Sequence, residues 1–348
     1  MGRTLSWFVR VWVTLTVAIT LCVLPYWALH AAEKNTQVIS DAVYLKPQRL
    51  VEVEPGRRMN VYCSGHGSPA VIFDSGLGDS TRVWAFVQPR VATVTRACSY
   101  DRAGFGFSDP SPKPRTGANA VEDLRRLLSA LRIKPPYVLV GHSLGGLNVR
   151  LYAETHLANV AGLVLVDPTL EDVFTRNEQV DPGRHAGRPA LLAKFESCLD
   201  AKPSDFIEGS DLYKTCVSEG PDPRFSEALE AVAVEQYKRR GTLSAWVSEN
   251  ENAYTVSADE VRAARRSLGD IPIVLLRREP SPLQANEPQA QHDAFEKVKT
   301  DVSAETAGLS TRGTVRIVKN TDHNIHLDQP EEVVAAILEV VRSAFSKR

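Results

Sequence analysis

The stretch Tyr137-Val-Leu-Val-Gly-His-Ser-Leu-Gly-Gly-Leu-Asn-Val-Arg-Leu-Tyr152 changes character at Gly141. Val138 to Val140 form a short apolar run of the kind a buried strand needs, and Leu147 to His156 carry helical spacing. Between them Gly141-His142-Ser143-Leu144-Gly145 fits G-x-S-x-G, a sharp strand-to-helix turn that lifts a serine hydroxyl above the end of a sheet. Glycine is required on both flanks because a side chain there would collide with the neighbouring strand or helix. Chance alone supplies this pentapeptide in roughly one chain in ten of such length, so the strand–turn–helix setting carries the argument. Ser143 is the candidate nucleophile.

Working outward on the N-terminal side, Arg49 to Glu54 and Met59 to Cys63 read as a hairpin around Pro55-Gly56. Ala70 to Asp74 is a third strand, ending in the glycine-rich loop Ser75-Gly76-Leu77-Gly78-Asp79. That loop lacks the third glycine of a dinucleotide fingerprint and no ribose-binding acid follows at βαβ spacing, so no nucleotide cofactor is expected. Val94 to Tyr100 reads as a fourth strand, and Val121 to Leu131 as an amphipathic helix stopped by Pro135-Pro136.

On the C-terminal side Val160 to Val166 is a further buried strand, ending at Asp167-Pro168. From Thr169 the chain turns polar and charged, with helices expected over Ser226 to Arg239 and Ala258 to Leu268. A stretch of that length is too long for a loop and reads as a helical cap inserted between core strands. Ile271 to Leu276 and Thr314 to Val318 are the last strands; Gln289 to Val302 and Glu331 to Phe345 read as helices. Strands alternating with helices predict an α/β class with a mainly parallel sheet covered on both faces. The expected division is 1–32 as a membrane anchor or signal segment, 33–168 and 269–348 as core, and 169–268 as cap.

A serine is a poor nucleophile at neutral pH unless a base takes its proton and a third group orients that base. His323, just beyond the last strand in Asn320-Thr321-Asp322-His323-Asn324-Ile325-His326, is the candidate base, with His326 as the rival. The acid has two candidate positions. Asp167 ends a buried strand and so reaches the same sheet edge as Ser143, whereas Glu279 follows two arginines and suits a surface ion pair. Asp167 is the preferred assignment and Glu279 the alternative. Backbone N–H groups of Leu144 and Leu77 are the candidate oxyanion donors. The His323/His326 pair comes without H-E-x-x-H or a second ligand cluster, so no metal is expected.

The chain has 348 residues, 43% hydrophobic and 24% charged, with a formal net charge of -1, which suits a globular protein with a large core. Charge offers no basic stripe for nucleic acid. Val11 to Leu29 carry no charge and follow Arg3 and Arg10, which predicts an anchor with the rest of the chain outside the cytoplasm; a cleaved signal peptide, giving a secreted or periplasmic protein, is the competing reading. Outside that segment Cys63, Cys98, Cys198 and Cys216 are an even set that an oxidising compartment would allow to pair.

Together these motifs resemble the α/β-hydrolase superfamily from Arg49 to Phe345. The carriers are the loop 75–79, the D-x-x-G-x-G-x-S stretch Asp101 to Ser108, the elbow 141–146 and the histidine loop Asp322-His323 with Asp328-Gln329-Pro330-Glu331. The resemblance implies an eight-stranded, mainly parallel sheet with a helical cap, and a serine hydrolase acting on an ester or related acyl bond of a small-molecule substrate. An aminopeptidase, a C–C hydrolase, a cofactor-free haloperoxidase or a non-catalytic binding protein on the same fold are the alternatives. It also implies neighbouring second and fourth strands, hence Cys63 paired with Cys98 and Cys198 with Cys216. Commoner members carry an aspartate after the strand corresponding to Ile271–Leu276, where this chain has Arg277-Arg278-Glu279. A minority, pancreatic-type lipases among them, take the acid from the preceding strand, which resembles Asp167-Pro168.

Overall fold

The structure, a computed structural model, describes residues 42–217, 220–285 and 287–345. The expected membrane or signal segment at 1–32 lies outside the described residues; among these, no helix is long and apolar enough to cross a membrane.

Eight strands form one sheet: β1 Leu50–Glu54, β2 Arg57–Ser64, β3 Ala70–Asp74, β4 Ala97–Tyr100, β5 Tyr137–His142, β6 Val160–Val166, β7 Ile273–Arg278 and β8 Gly313–Val318. Their order is β1-β2-β4-β3-β5-β6-β7-β8. β1 and β2 are an antiparallel hairpin, β2 is antiparallel to β4, and the remaining pairs are parallel. The central strands are continuous apolar runs because both faces are covered. Tyr137 and Leu139 of β5 join a core with Leu124 and Leu127 of the helix Gly117–Ala130. Val138 and Val140 face the other way, onto Val333, Ile337 and Val341 of the helix Pro330–Phe345. One period-two alternation therefore feeds two cores.

Several boundaries differ from expectation, the helices Gly117–Ala130 and Gln289–Ala307 each running some four to five residues further at one end, and two differences have a local reason. The fourth strand starts at Ala97 rather than Val94, because residues 92–95 still turn: the Thr95 N–H donates to the Val91 carbonyl at 3.2 Å, and Val94 is exposed. The helix expected over Ala258 to Leu268 spans Val256–Ala264; Leu268 continues as loop, its N–H donating to the Leu309 carbonyl at 2.7 Å.

Between β6 and β7 the chain forms helices Val173–Val180, Arg188–Glu196, Asp211–Cys216, Glu227–Tyr237, Arg240–Asn252 and Val256–Ala264. Cys198, Phe206, Tyr213 and Leu243 make a small core of their own there. Val256–Ala264 instead packs on the central helices, with Val261 in the main core. Both expected disulfides are present. Cys63 and Cys98 are direct cross-strand partners on β2 and β4, and Cys198–Cys216 closes the small helical core.

Because the central strands are parallel, their C-terminal ends share one edge. Asp74, His142, Asp167 and Glu279 all emerge there, beside the loop that follows β8.

Candidate active site

Ser143 sits between β5 and the helix Leu144–Thr155 with φ 49° and ψ -118°, a conformation costly for a non-glycine residue. Its neighbours over-determine it. The Ser143 N–H donates to the Val166 carbonyl at 3.1 Å, and its own carbonyl accepts from Gly146 and Thr169 N–H at 2.9 and 2.8 Å. A Cβ on Gly145 would lie 2.2 Å from the Asp74 carbonyl oxygen, so the turn closes against β3 only with glycine there.

Asp167 also has a positive φ, 38°, with its N–H anchored on the Leu276 carbonyl at 2.8 Å. This turns its carboxylate toward the histidine loop, where Oδ2 lies 2.6 Å from His323 Nδ1. The Arg278 N–H donates to Oδ1 at 3.3 Å, and the Arg278 guanidinium stands 3.6 Å from Oδ2. A carboxylate only accepts, so Nδ1 carries the proton and Nε2 of His323 is left as the basic nitrogen. Ser143, Asp167 and His323 line one cavity of about 250 Å³, shared with Tyr254, Glu279 and Lys299. Glu279 braces the loop rather than the imidazole: its Oε1 accepts from the Asn320 N–H at 2.9 Å.

His326 is fully buried, 4.2 Å from the His142 ring and 4.9 Å from Trp84. Neither ring nitrogen has a hydrogen-bond partner among the described residues. Burial first, then the charges of His323 and Arg224, push its pKa down to about 3. Its ring packs between Trp84 and His142. Since its folded pKa lies below its ordinary 6.5, the unfolded chain binds the extra proton, and His326 costs stability as pH falls from 6.5 toward 3. His326→Phe keeps the ring without that cost. The stability difference between variant and wild type, from urea titrations, is expected to widen by roughly 2 kcal/mol between pH 7 and pH 5. A constant difference would contradict this.

Sequence reasoning left several supporting residues unassigned. Buried His142, whose pKa burial holds well below the ordinary value, has Nε2 3.0 Å from the His323 carbonyl and so tethers the candidate base to β5. Arg102 is buried behind the glycine-rich loop. It donates to both Glu249 carboxylate oxygens at 2.6 and 2.9 Å, to Asp74 at 2.7 Å, and to the Ser75 and Gly76 carbonyls at 2.6 Å each. Glu249 Oε2 in turn accepts from the Gly78 N–H at 3.1 Å. The backbone on both sides of Leu77 is thus clamped. Leu144 opens its helix, so its N–H has no acceptor within that helix. Among the described residues no group of three or more His, Cys, Asp or Glu is placed to hold a metal ion.

A family model described as alpha/beta hydrolase family matches residues 71–336, from β3 into the last helix. The chain belongs to the alpha/beta hydrolase family. The match contains every candidate site residue. This alpha/beta hydrolase is 24% identical over 278 residues to the Bacillus subtilis protein YqjL, covering 79% of this chain and 85% of that one. It is 24% identical over 292 residues to an AB hydrolase superfamily protein of Gibberella zeae, covering 79% and 86%. Among solved structures, Est816, described as an N-acyl homoserine lactone degrading enzyme, is similar with a TM-score of 0.55 and 17% identity, over 84% of this alpha/beta hydrolase and 99% of Est816.

Proposed function

We propose that this hydrolase is a serine hydrolase that cleaves an ester or related acyl bond through an acyl-enzyme. The observation that carries the reading is the 2.6 Å contact between Asp167 and His323 in the cavity that also holds Ser143. Ser143 Oγ bonds to the substrate carbonyl carbon while His323 Nε2 takes its proton. The tetrahedral oxyanion is held by the Leu77 and Leu144 N–H groups. The carbon–oxygen bond to the leaving alcohol breaks as His323 returns the proton to that oxygen, and water then releases the acid by the reverse sequence. Asp167 keeps Nδ1 protonated and stabilises the imidazolium.

In the same reading the expected cap 169–268, less the helix Val256–Ala264 that packs on the core, covers this site, and the chain works outside the cytoplasm. Two disulfides and the apolar 11–29 stretch support export; carbonate extraction of cell membranes separates an anchor from a cleaved leader.

A fluorophosphonate probe tests the nucleophile. Wild type is expected to label at a single serine and Ser143→Ala not at all. Equal labelling of the two proteins, or none of wild type, would overturn the reading.

A further inference from the structure

Asp167 Oδ2 has a second neighbour besides His323. Arg278, the last residue of β7, stands with its guanidinium Nε 3.6 Å from the same oxygen that lies 2.6 Å from His323 Nδ1. Its side chain is 29% exposed and lines the cavity of about 250 Å³ together with Ser143 and His323. Both nitrogens reach one oxygen, so they stand within about 6 Å of each other, a range at which a fixed positive charge disfavours a second one. A guanidinium does not give up its proton in a protein, so that charge is present at every pH at which the chain is folded.

Activation of Ser143 needs a lone pair at His323 Nε2, and activity falls on the acid side where the ring takes a proton there. Asp167 by itself favours that proton on the ring; Arg278 opposes it across the same carboxylate. We infer that Arg278 is a positioning residue that shares Asp167 with His323 and by its charge extends the working range of the site toward acid pH. This rests on the serine-hydrolase reading and adds to it a regulation that the three triad residues do not contain. Other titratable groups surround the ring. His142 at the end of β5 and His326 in the same loop are held neutral by burial, and Asp79 of the glycine-rich loop has a carboxyl that burial raises and that feels the charge of His323. Glu279 accepts from the Asn320 N–H, Asp322 from the Asn324 N–H at 2.6 Å, and Glu296 is shared by Arg277 and Lys299. All of these are unchanged when Arg278 alone is replaced, so the difference from wild type reads that one charge.

The test is the rate at which a fluorophosphonate probe labels the full chain as pH is lowered, a readout that needs no knowledge of the substrate. Arg278→Gln is expected to raise the pH of half-maximal labelling by about one unit, with the plateau at higher pH kept within about threefold. Arg278→Lys, which keeps a charge, should stay within about half a unit of wild type. Lys299→Gln removes another cation of the same cavity, one held by Glu296 at 2.8 Å, and should move the midpoint by less than about a quarter of a unit. An unmoved midpoint in Arg278→Gln, with or without a lower plateau, overturns the proposal, as does an equal move in Lys299→Gln. If Arg278→Gln does not fold, Arg278→Met is read by the same criteria; folding of neither would make Arg278 a structural residue and overturn the proposal as well. Absence of labelling in wild type at any pH removes the serine-hydrolase reading itself, a failure distinct from these.

Discussion

Asp167→Asn is expected to lower kcat on an activated ester by about 10⁴-fold with little change in KM or stability. The amide is the same size and its oxygen can still accept from the Arg278 N–H, which now reaches Oδ1 at 3.3 Å. Its nitrogen, however, would donate to His323 Nδ1 across the present 2.6 Å contact and drive the ring proton to Nε2. The imidazole would then face Ser143 with a proton where it needs a lone pair, and the imidazolium formed later would lose its counter-charge. Glu279→Gln is the matched control. Its amide oxygen still accepts from the Asn320 N–H, so the loss should stay below about tenfold, the scale of one weakened hydrogen bond. If Glu279→Gln lost the several orders of magnitude and Asp167→Asn kept near-full activity, the acid would be misassigned.

The largest stability effect is expected at Arg102. Replacing it with Met removes the cation from between two buried carboxylates, Asp74 and Glu249, and frees the Ser75 and Gly76 carbonyls. Breaking a buried ion pair on one side costs about 3–5 kcal/mol, more than the pair itself contributes, because the remaining charge is left unpaired in low dielectric. Arg102→Lys should recover only part of this, since an ammonium cannot bond both Glu249 oxygens in plane while also reaching Asp74. Arg102→Met with Glu249→Leu should be less unstable than Arg102→Met alone, because the stranded carboxylate is gone. Urea denaturation of the three variants checks this ordering. Full stability of Arg102→Met would mean that the network carries no net load.

Much of this site could be read before any coordinates. Ser143 and Asp167 each stand just beyond a buried apolar run at the C-terminal end of a strand, His323 lies in the loop after β8, and a parallel sheet gathers such positions at one edge. The runs themselves were legible because β5 and β6 are buried on both faces and have no polar interruption. What was hidden followed from the opposite circumstance. The helix Arg240–Asn252 buries Thr242 and Glu249 along with Leu243, Ala245 and Val247, so its inward positions do not form an apolar stripe. Arg102 reads as a surface charge until its partners, one of them 147 residues away, are brought against it. His142 occupies the variable place of the motif, where residue type alone says nothing about a tether to a histidine loop 181 residues downstream.

The clamp by Glu249 also bears on how this scaffold can be re-engineered. Lids of hydrolases invite transplantation, since a foreign helical insert between β6 and β7 is a direct route to a new specificity. Here the insert is not a separable part. One of its carboxylates holds the Gly78 N–H and the guanidinium that steadies the loop, so a graft lacking an equivalent acid at that point would carry a new pocket to a scaffold whose glycine-rich loop had lost its clamp. Chimeras of this chain should keep the turn of helix around Glu249 and exchange only what lies above it.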